Sequence, residues 1–408
     1  MEQPTDPGDV LLSSAFLEDP YPDLHRLREL SPVLWSSAVG GWILTRYDDI
    51  VITFRDTESY GNAHRLTRAL DHLDPASQAQ LEPFRRHYSI PGLIHSDPPD
   101  HTRIRRLVLK AFTPPVIEAM RPRIQEIVDG LLDELEDGRT VDLIEEFAFA
   151  LPINVLATIL GVPRSDGHLF RRWADEILAF QGRNRPEAAA LLRAQDTVFE
   201  ARDYLAELIS SKRAEPDGSV LSQLVSAEAE GDKLSMDELL NTTITLLVAG
   251  HETTTSLIGN GVLALMQHRE QWDAIRATPT LIPQAVEEIL RFESPVARQP
   301  RLIRRDVELG GQMLRANEIA FQMLGAANRD PDRFSNPDTF DIRREPNRHI
   351  AFGLGPHFCI GAPLARAEGQ IAFATLSARF PGLELADSPR WDLEKPNSRV
   401  LRELAVQL

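Results

Sequence analysis

The stretch Phe352-Gly353-Leu354-Gly355-Pro356-His357-Phe358-Cys359-Ile360-Gly361-Ala362-Pro363 decides how this chain is read. It holds the only cysteine among 408 residues. Glycines on both sides let backbone N–H groups come close to the sulfur. Pro363 suits the first turn of a helix, which Leu364-Ala365-Arg366-Ala367-Glu368 continues. A helix starting just past the cysteine turns its positive dipole end toward the sulfur and favours the thiolate. A lone cysteine is ordinarily a small buried hydrophobe. The spacing F-x-x-G-x-H-x-C-x-G overturns that reading.

A second segment lies upstream. Ser235-Met236-Asp237-Glu238 is a capping box, its serine hydroxyl and glutamate side chain each serving the other's backbone N–H. No proline follows until Pro279, and the apolar pattern runs to about Gln267. The spacing predicts a helix of ~30 residues, ~45 Å long. Its middle, Thr245 to Gly250, is apolar on nearly every side and therefore expected to be buried. Into that run falls His251-Glu252-Thr253-Thr254-Thr255. A buried carboxylate without a partner costs several kcal/mol, and Gly250 costs about 1 kcal/mol against alanine. Two readings stay open on these residues alone. The threonines can simply bond back to carbonyls four residues earlier. Alternatively, Ala249-Gly250 thins the helix where something bulky approaches, and Glu252 and Thr253 supply a carboxylate and a hydroxyl for proton relay.

Taken with Glu288-Ile289-Leu290-Arg291, in this order along the chain, these motifs resemble the cytochrome P450 family of haem-thiolate monooxygenases. The resemblance covers essentially the whole chain, at the size of the soluble bacterial members. It implies haem b (iron protoporphyrin IX) as cofactor, with Cys359 as axial ligand of the iron. A thiolate there pushes electron density onto the metal and favours O–O cleavage. It implies that Glu252 and Thr253 are the family's acid–alcohol pair, which delivers protons as dioxygen is cleaved. Because the pair is intact, the chain is similar to the monooxygenases and not to the peroxygenase branch. Ala249, Gly250, Phe352, Gly355 and Gly361 fall at haem-contacting positions of the motifs.

The resemblance also assigns cations to the two haem propionates. His101 and Arg105, in Asp97-Pro98-Pro99-Asp100-His101-Thr102-Arg103-Ile104-Arg105, share a helical face. Without the family pattern, a solvated basic face is the better explanation of them. Arg301 and His349 match the other propionate positions, with His357 as a weaker addition. Glu288 and Arg291 at i and i+3 would be worth only ~0.2–0.5 kcal/mol on a surface. The family instead implies a buried structural pair tied to a further arginine, Arg344, with Arg343 close behind.

The expected architecture is mainly α with small β sheets, a single large domain over 1–408. A β-rich portion is expected at roughly 20–60 and 295–320, a helix-rich one at 98–292, and the haem-thiolate loop at 352–361. Val33-Leu34-Trp35 and Trp42-Ile43-Leu44-Thr45 about Gly40-Gly41 read as a hairpin, as do Val307-Glu308-Leu309 and Gln312-Met313-Leu314 about Gly310-Gly311. A distal pocket is expected from the 60–95 loop, the 170–200 helices, Thr245, Val248 and Ala249, with Val296 and Ala297 facing the haem and Val400 or Leu401 at the far side. The cluster His64, Arg65, Arg68, Arg85, Arg86 and His87 raises two readings, a solvated loop face or an arginine that anchors a substrate carboxylate such as a fatty acid's.

Composition sets the outer limits. With 61 acidic and 44 basic side chains, the formal net charge is −17. Nucleic acid is thus not expected as the main partner, because phosphate binding needs a basic surface. A single cysteine excludes an internal disulfide, and no run reaches the ~20 apolar residues of a membrane span. The polar, acidic start MEQPTDPGDV does not fit a signal peptide. A cytoplasmic, membrane-free monomer is expected. The chain has no flavin or nicotinamide domain, so electrons should come ultimately from NAD(P)H through a ferredoxin or flavodoxin with its reductase. Arg103, Arg106, Lys110 and Arg366 are candidates for a basic landing patch. The expected reaction uses dioxygen to hydroxylate or epoxidise a small-to-medium lipophilic substrate, a fatty acid or a natural-product intermediate. A non-catalytic haem sensor or a cysteine hydrolase are the rival classes, and a Soret band separates the latter.

Overall fold

The computed structural model describes residues 6–68, 70–135, 138–181, 186–229 and 232–408. Two compact units are distinguished: Met1–Tyr60, Arg121–Leu151 and Thr253–Leu408 form the first, Gly61–Met120 and Pro152–Glu252 the second. The chain is mainly helical, with short strands gathered into small sheets.

In the first unit, strands Val33–Ser36, Gly41–Leu44, Ile319–Met323 and Arg298–Ile303 lie side by side in that order. The pairings are antiparallel, parallel and antiparallel, with Trp35 opposite Trp42 and Phe321 opposite both Ile43 and Pro300. Side chains alternate faces along a strand, so the sheet feeds two cores. Trp42, Leu44 and Ala320 pack with Ile50, Phe54, Ile303 and Phe334. Ile43, Phe321 and Met323 pack with Tyr21, Leu24 and Leu27. Burial on both faces explains the uninterrupted apolar run Trp42-Ile43-Leu44.

The 20–60 portion requires a correction. It is not β-rich: helices Tyr21–Leu30 and Tyr47–Arg55 flank the two four-residue strands. Tyr21, Leu24 and Leu27, and again Ile50 and Phe54, recur at helical spacing on one buried face. The hairpin at Val307–Leu309 and Gln312–Leu314 forms in register about Gly310 and Gly311. Those two glycines have φ of 58° and 76°, the paired left-handed conformation of a tight two-residue turn.

Helix Ala362–Arg379 belongs to this unit and buries Glu368 to 2% exposure. Its Oε2 has no hydrogen-bond partner among the described residues, and burial raises its pKa to about 8. The folded state therefore keeps a proton that the unfolded chain releases near pH 4.5, and stability falls as pH climbs from there to about 8. Glu368→Gln removes that penalty. Its melting temperature should match the parent's near pH 5 and exceed it increasingly up to pH 8, by about 1–3 kcal/mol of stability. Parallel pH profiles for the two proteins would refute this.

The second unit is helical: it holds Asp100–Val108, Gly167–Gln181 and Ala188–Ala214 together with the first half of the 32-residue helix Met236–Gln267. Its capping box is formed. Ser235 N–H donates to Glu238 Oε2 at 2.8 Å, and Glu238 N–H donates to Ser235 Oγ at 3.2 Å. Glu238 also accepts from Arg103. Among the described residues, no helix is long and apolar enough to cross a membrane.

Candidate active site

Cys359 sits in the loop between the 3-10 turn Gly355–His357 and helix Ala362–Arg379, with its side chain exposed. Backbone bonds hold the loop: Cys359 N–H to Phe352 O at 3.0 Å, Phe358 N–H to Gly355 O at 3.0 Å and Gly353 N–H to Ile350 O at 2.9 Å. Gly355 has φ of 69°, and a Cβ there would stand 2.7 Å from the Phe54 carbonyl oxygen. Only glycine fits that approach. At Gly361 a Cβ would lie 3.9 Å from the Cys359 sulfur, an ordinary van der Waals contact. Phe352 stacks under the Arg366 guanidinium at 4.6 Å and meets Phe358 edge-on.

Beneath the loop lies an ionic core. Glu288 and Arg291, on helix Ile282–Phe292, are fully buried. Arg291 donates Nε to Glu288 Oε2 at 2.7 Å and Nη2 to Oε1 at 2.8 Å. Arg344 donates Nε to Oε1 at 3.1 Å, and the Asp341 N–H and Asn347 side chain add two further donors. The two arginines also donate to the carbonyls of Asn328, Ser335, Asn336, Pro337 and Thr339. One carboxylate thus anchors the irregular segment that leads into the cysteine loop.

His349 was expected at a haem propionate, and the structure corrects this. Its Nε2 meets Glu287 Oε2 at 3.0 Å, while Nδ1 accepts the Ala351 N–H at 3.2 Å, so both ring nitrogens are engaged by protein. Glu287 also receives Arg366 through two bonds, at 2.6 and 2.8 Å. Burial alone would raise the Glu287 pKa; the bonds from Arg366 and His349 overcome it and hold the carboxylate at about 2. Sequence reasoning missed Glu287, which stands beside Glu288 without a pattern of its own. Arg301 is 4% exposed on strand Arg298–Ile303 and lies over the Phe54 ring at 5.3 Å. His357 closes the 3-10 turn two residues before the cysteine and is partly exposed.

Four residues expected at the pocket belong to this unit. Ala297 lines a separate cavity of about 20 Å³ with Phe16, Tyr21, Met323 and Arg399. Val296 packs against the sheet core and bridges Ser398. Leu401 is 2% exposed and Val400 8%, and Leu401 fills the space beside Gly259.

In the second unit, His101 and Arg105 stand one turn apart on helix Asp100–Val108, His101 at 1% exposure. Arg103 of the same helix is engaged by Glu238 and Asp232. At Gly250 a Cβ would lie 3.1 Å from the Leu156 side chain, so the missing side chain lets that neighbour pack close to the helix. Thr245, Val248 and Ala249 do line a cavity of about 60 Å³, together with His87, Tyr88, Ile90, Ile94, His95, Ile177, Leu178, Asn241 and Ile244. Residues 182–185 of the expected 170–200 wall lie outside the described residues. Glu252, 6% exposed, follows along the helix and ends the second unit's share of it; half-buried Thr253, next in sequence, belongs to the first unit.

The donor chemistry fits a haem. One exposed thiol stands just before the start of a helix, in a loop that Gly353 and Gly355 seat against Phe54. Buried Arg301 and His101 are groups able to meet carboxylates.

Comparison with known proteins agrees. A family model described as Cytochrome P450 matches residues 60–407. Cytochrome P450 107B1 of Saccharopolyspora erythraea is 43% identical over 392 residues, 94% of each chain. The monooxygenase PikC of Streptomyces venezuelae is 40% identical over 397 residues, 95% of this chain and 90% of that one. The crystal structure of P450BioI in complex with hexadec-9Z-enoic acid ligated acyl carrier protein superposes with a TM-score of 0.88 at 37% identity, covering 97% of this chain and all of that one.

Proposed function

Since the chain belongs to the cytochrome P450 family and is a haem-dependent monooxygenase, we propose that it hydroxylates or epoxidises a fatty acid or a natural-product intermediate of small-to-medium size. The observation that carries this reading is the mainly apolar cavity lined by Val248 and Ala249, which precede Glu252-Thr253 in the sequence of the same helix. Apolar walls with a few polar groups suit a lipophilic ligand. The acyl chain in the P450BioI complex supports the same class.

Haem, when bound, supplies the activation of dioxygen with two external electrons. Cys359 would be its axial ligand, with His101, Arg105, Arg301 and His357 toward the propionates. Glu252 and Thr253 would hold and pass protons, the carboxylate taking them up and the hydroxyl delivering them. The electrons would come from NAD(P)H through a ferredoxin or flavodoxin and its reductase. Arg106 and Lys110 are exposed and suit an acidic partner, whereas Arg103 and Arg366 are committed to internal carboxylates. A cytoplasmic monomer without nucleic-acid partners completes the reading.

Thr253→Ala tests it. With a long-chain acid that shifts the ferric spin state of the parent, the variant should keep that shift. Product per NAD(P)H should fall by about 10-fold or more while peroxide release rises. Unchanged coupling would remove the proton-delivery role.

A further inference from the structure

His95 lines the 60 Å³ cavity of the second unit, and Arg65 of the same unit is near enough for its charge to act on the His95 ring. Asp97 organises this. Its carboxylate accepts the N–H groups of Asn62 at 2.9 Å and Ala63 at 3.2 Å, which pins the start of the Arg65 segment two residues beyond His95. Arg65 is close enough to His95 and Tyr88, both at the cavity, for its charge to act on each. Its Nε is buried and has no hydrogen-bond partner among the described residues, and the same holds for His95 Nδ1. Burial pulls the Arg65 guanidinium down only to about 10, so it stays charged at neutral pH. Burial, reinforced by the Arg65 charge, holds His95 near 3, a neutral ring that can donate one N–H.

A partly buried cation without a counter-ion is costly, and among the described residues no carboxylate meets Arg65. The other arginines of the cluster differ. Arg85 is paired with Asp71 at 3.1 Å, and Arg68 and Arg86 are exposed. Arg202, which reaches His87 and Asn241 from another side, is paired with Asp237.

We propose that Arg65, with the His95 N–H, binds the carboxylate of the substrate, so that the enzyme prefers free acids of long-chain compounds over their esters. This rests on the lipophilic-substrate reading above and deepens it. Tyr88, Ile90, Ile94, Ile177 and Val248 would take the chain that follows the acid group. The shared chemistry, a carboxylate on a guanidinium, could also be met by a haem propionate, and the experiment separates the two sources.

The haem-loaded protein is titrated with hexadecanoic acid and with its methyl ester, following the ferric spin shift. The parent should bind the acid about 10–100-fold more tightly than the ester. Arg65→Gln should lose that preference by weakening the acid alone, Arg65→Lys should restore part of it, and Arg85→Gln should leave it intact. Equal binding of acid and ester by the parent would overturn the proposal, whatever the variants do. So would an Arg65→Gln protein that keeps the preference, or one that loses haem while its remaining holoenzyme still prefers the acid, which would place the propionate there. Absence of any spin shift with a panel of lipophilic compounds, acids and neutral ones alike, would instead count against the substrate class itself.

Discussion

Cys359→Ala is expected to yield a folded protein without thiolate-bound haem. The parent, reduced and treated with carbon monoxide, should show the red-displaced Soret band of thiolate ligation. The variant should show none, and turnover should drop to background. The argument is the separation of two roles in one residue. The thiol is exposed, so removing it should cost the polypeptide no more than ~0.5 kcal/mol. What shapes the loop is backbone: the bonds from Cys359 N–H, Phe358 N–H and Gly353 N–H survive in alanine. Far-ultraviolet circular dichroism of the cofactor-free proteins should therefore coincide. A parent-like carbon monoxide spectrum in the variant would end the assignment of Cys359 as ligand.

Glu288→Ala should do the reverse, abolishing folding while touching no reacting group. Glu288 carries five donated hydrogen bonds and is fully buried with Arg291. Removing the carboxylate leaves Arg291 charged, enclosed and without its counter-ion, at about 3–5 kcal/mol. Against a total stability of about 5–15 kcal/mol this is a large share. The variant should accumulate as insoluble chain, or melt lower by on the order of 10 °C. Arg344→Ala removes a partly exposed arm of the same network and should cost less, by thermal melting of the two variants side by side. A Glu288→Ala protein as stable as its parent would mean that the network is dispensable.

The two substitutions mark what could be read without coordinates. The capping box at Ser235 and Glu238, the hairpin turn at Gly310-Gly311 and the helix after Cys359 each involve partners within a few residues. Their geometry follows from spacing alone. The 20–60 portion was misread because two short strands carry conspicuous Trp and Ile residues, while the helices beside them show apolar residues only every third or fourth position. Glu287 left no signal, since its partners are 62 and 79 residues away.

From the sequence alone came the thiol in its glycine-bounded loop, the acid–hydroxyl pair on a long helix, and through both the family and its chemistry. Tertiary structure alone decided which charges are spent and which remain. It closed His349 and Arg366 onto Glu287, set Gly250 against Leu156, and left Arg65 without a carboxylate among the described residues. The reason is physical: a motif is made by neighbours along the chain, whereas the partner of a long charged side chain depends on which surfaces packing brings together.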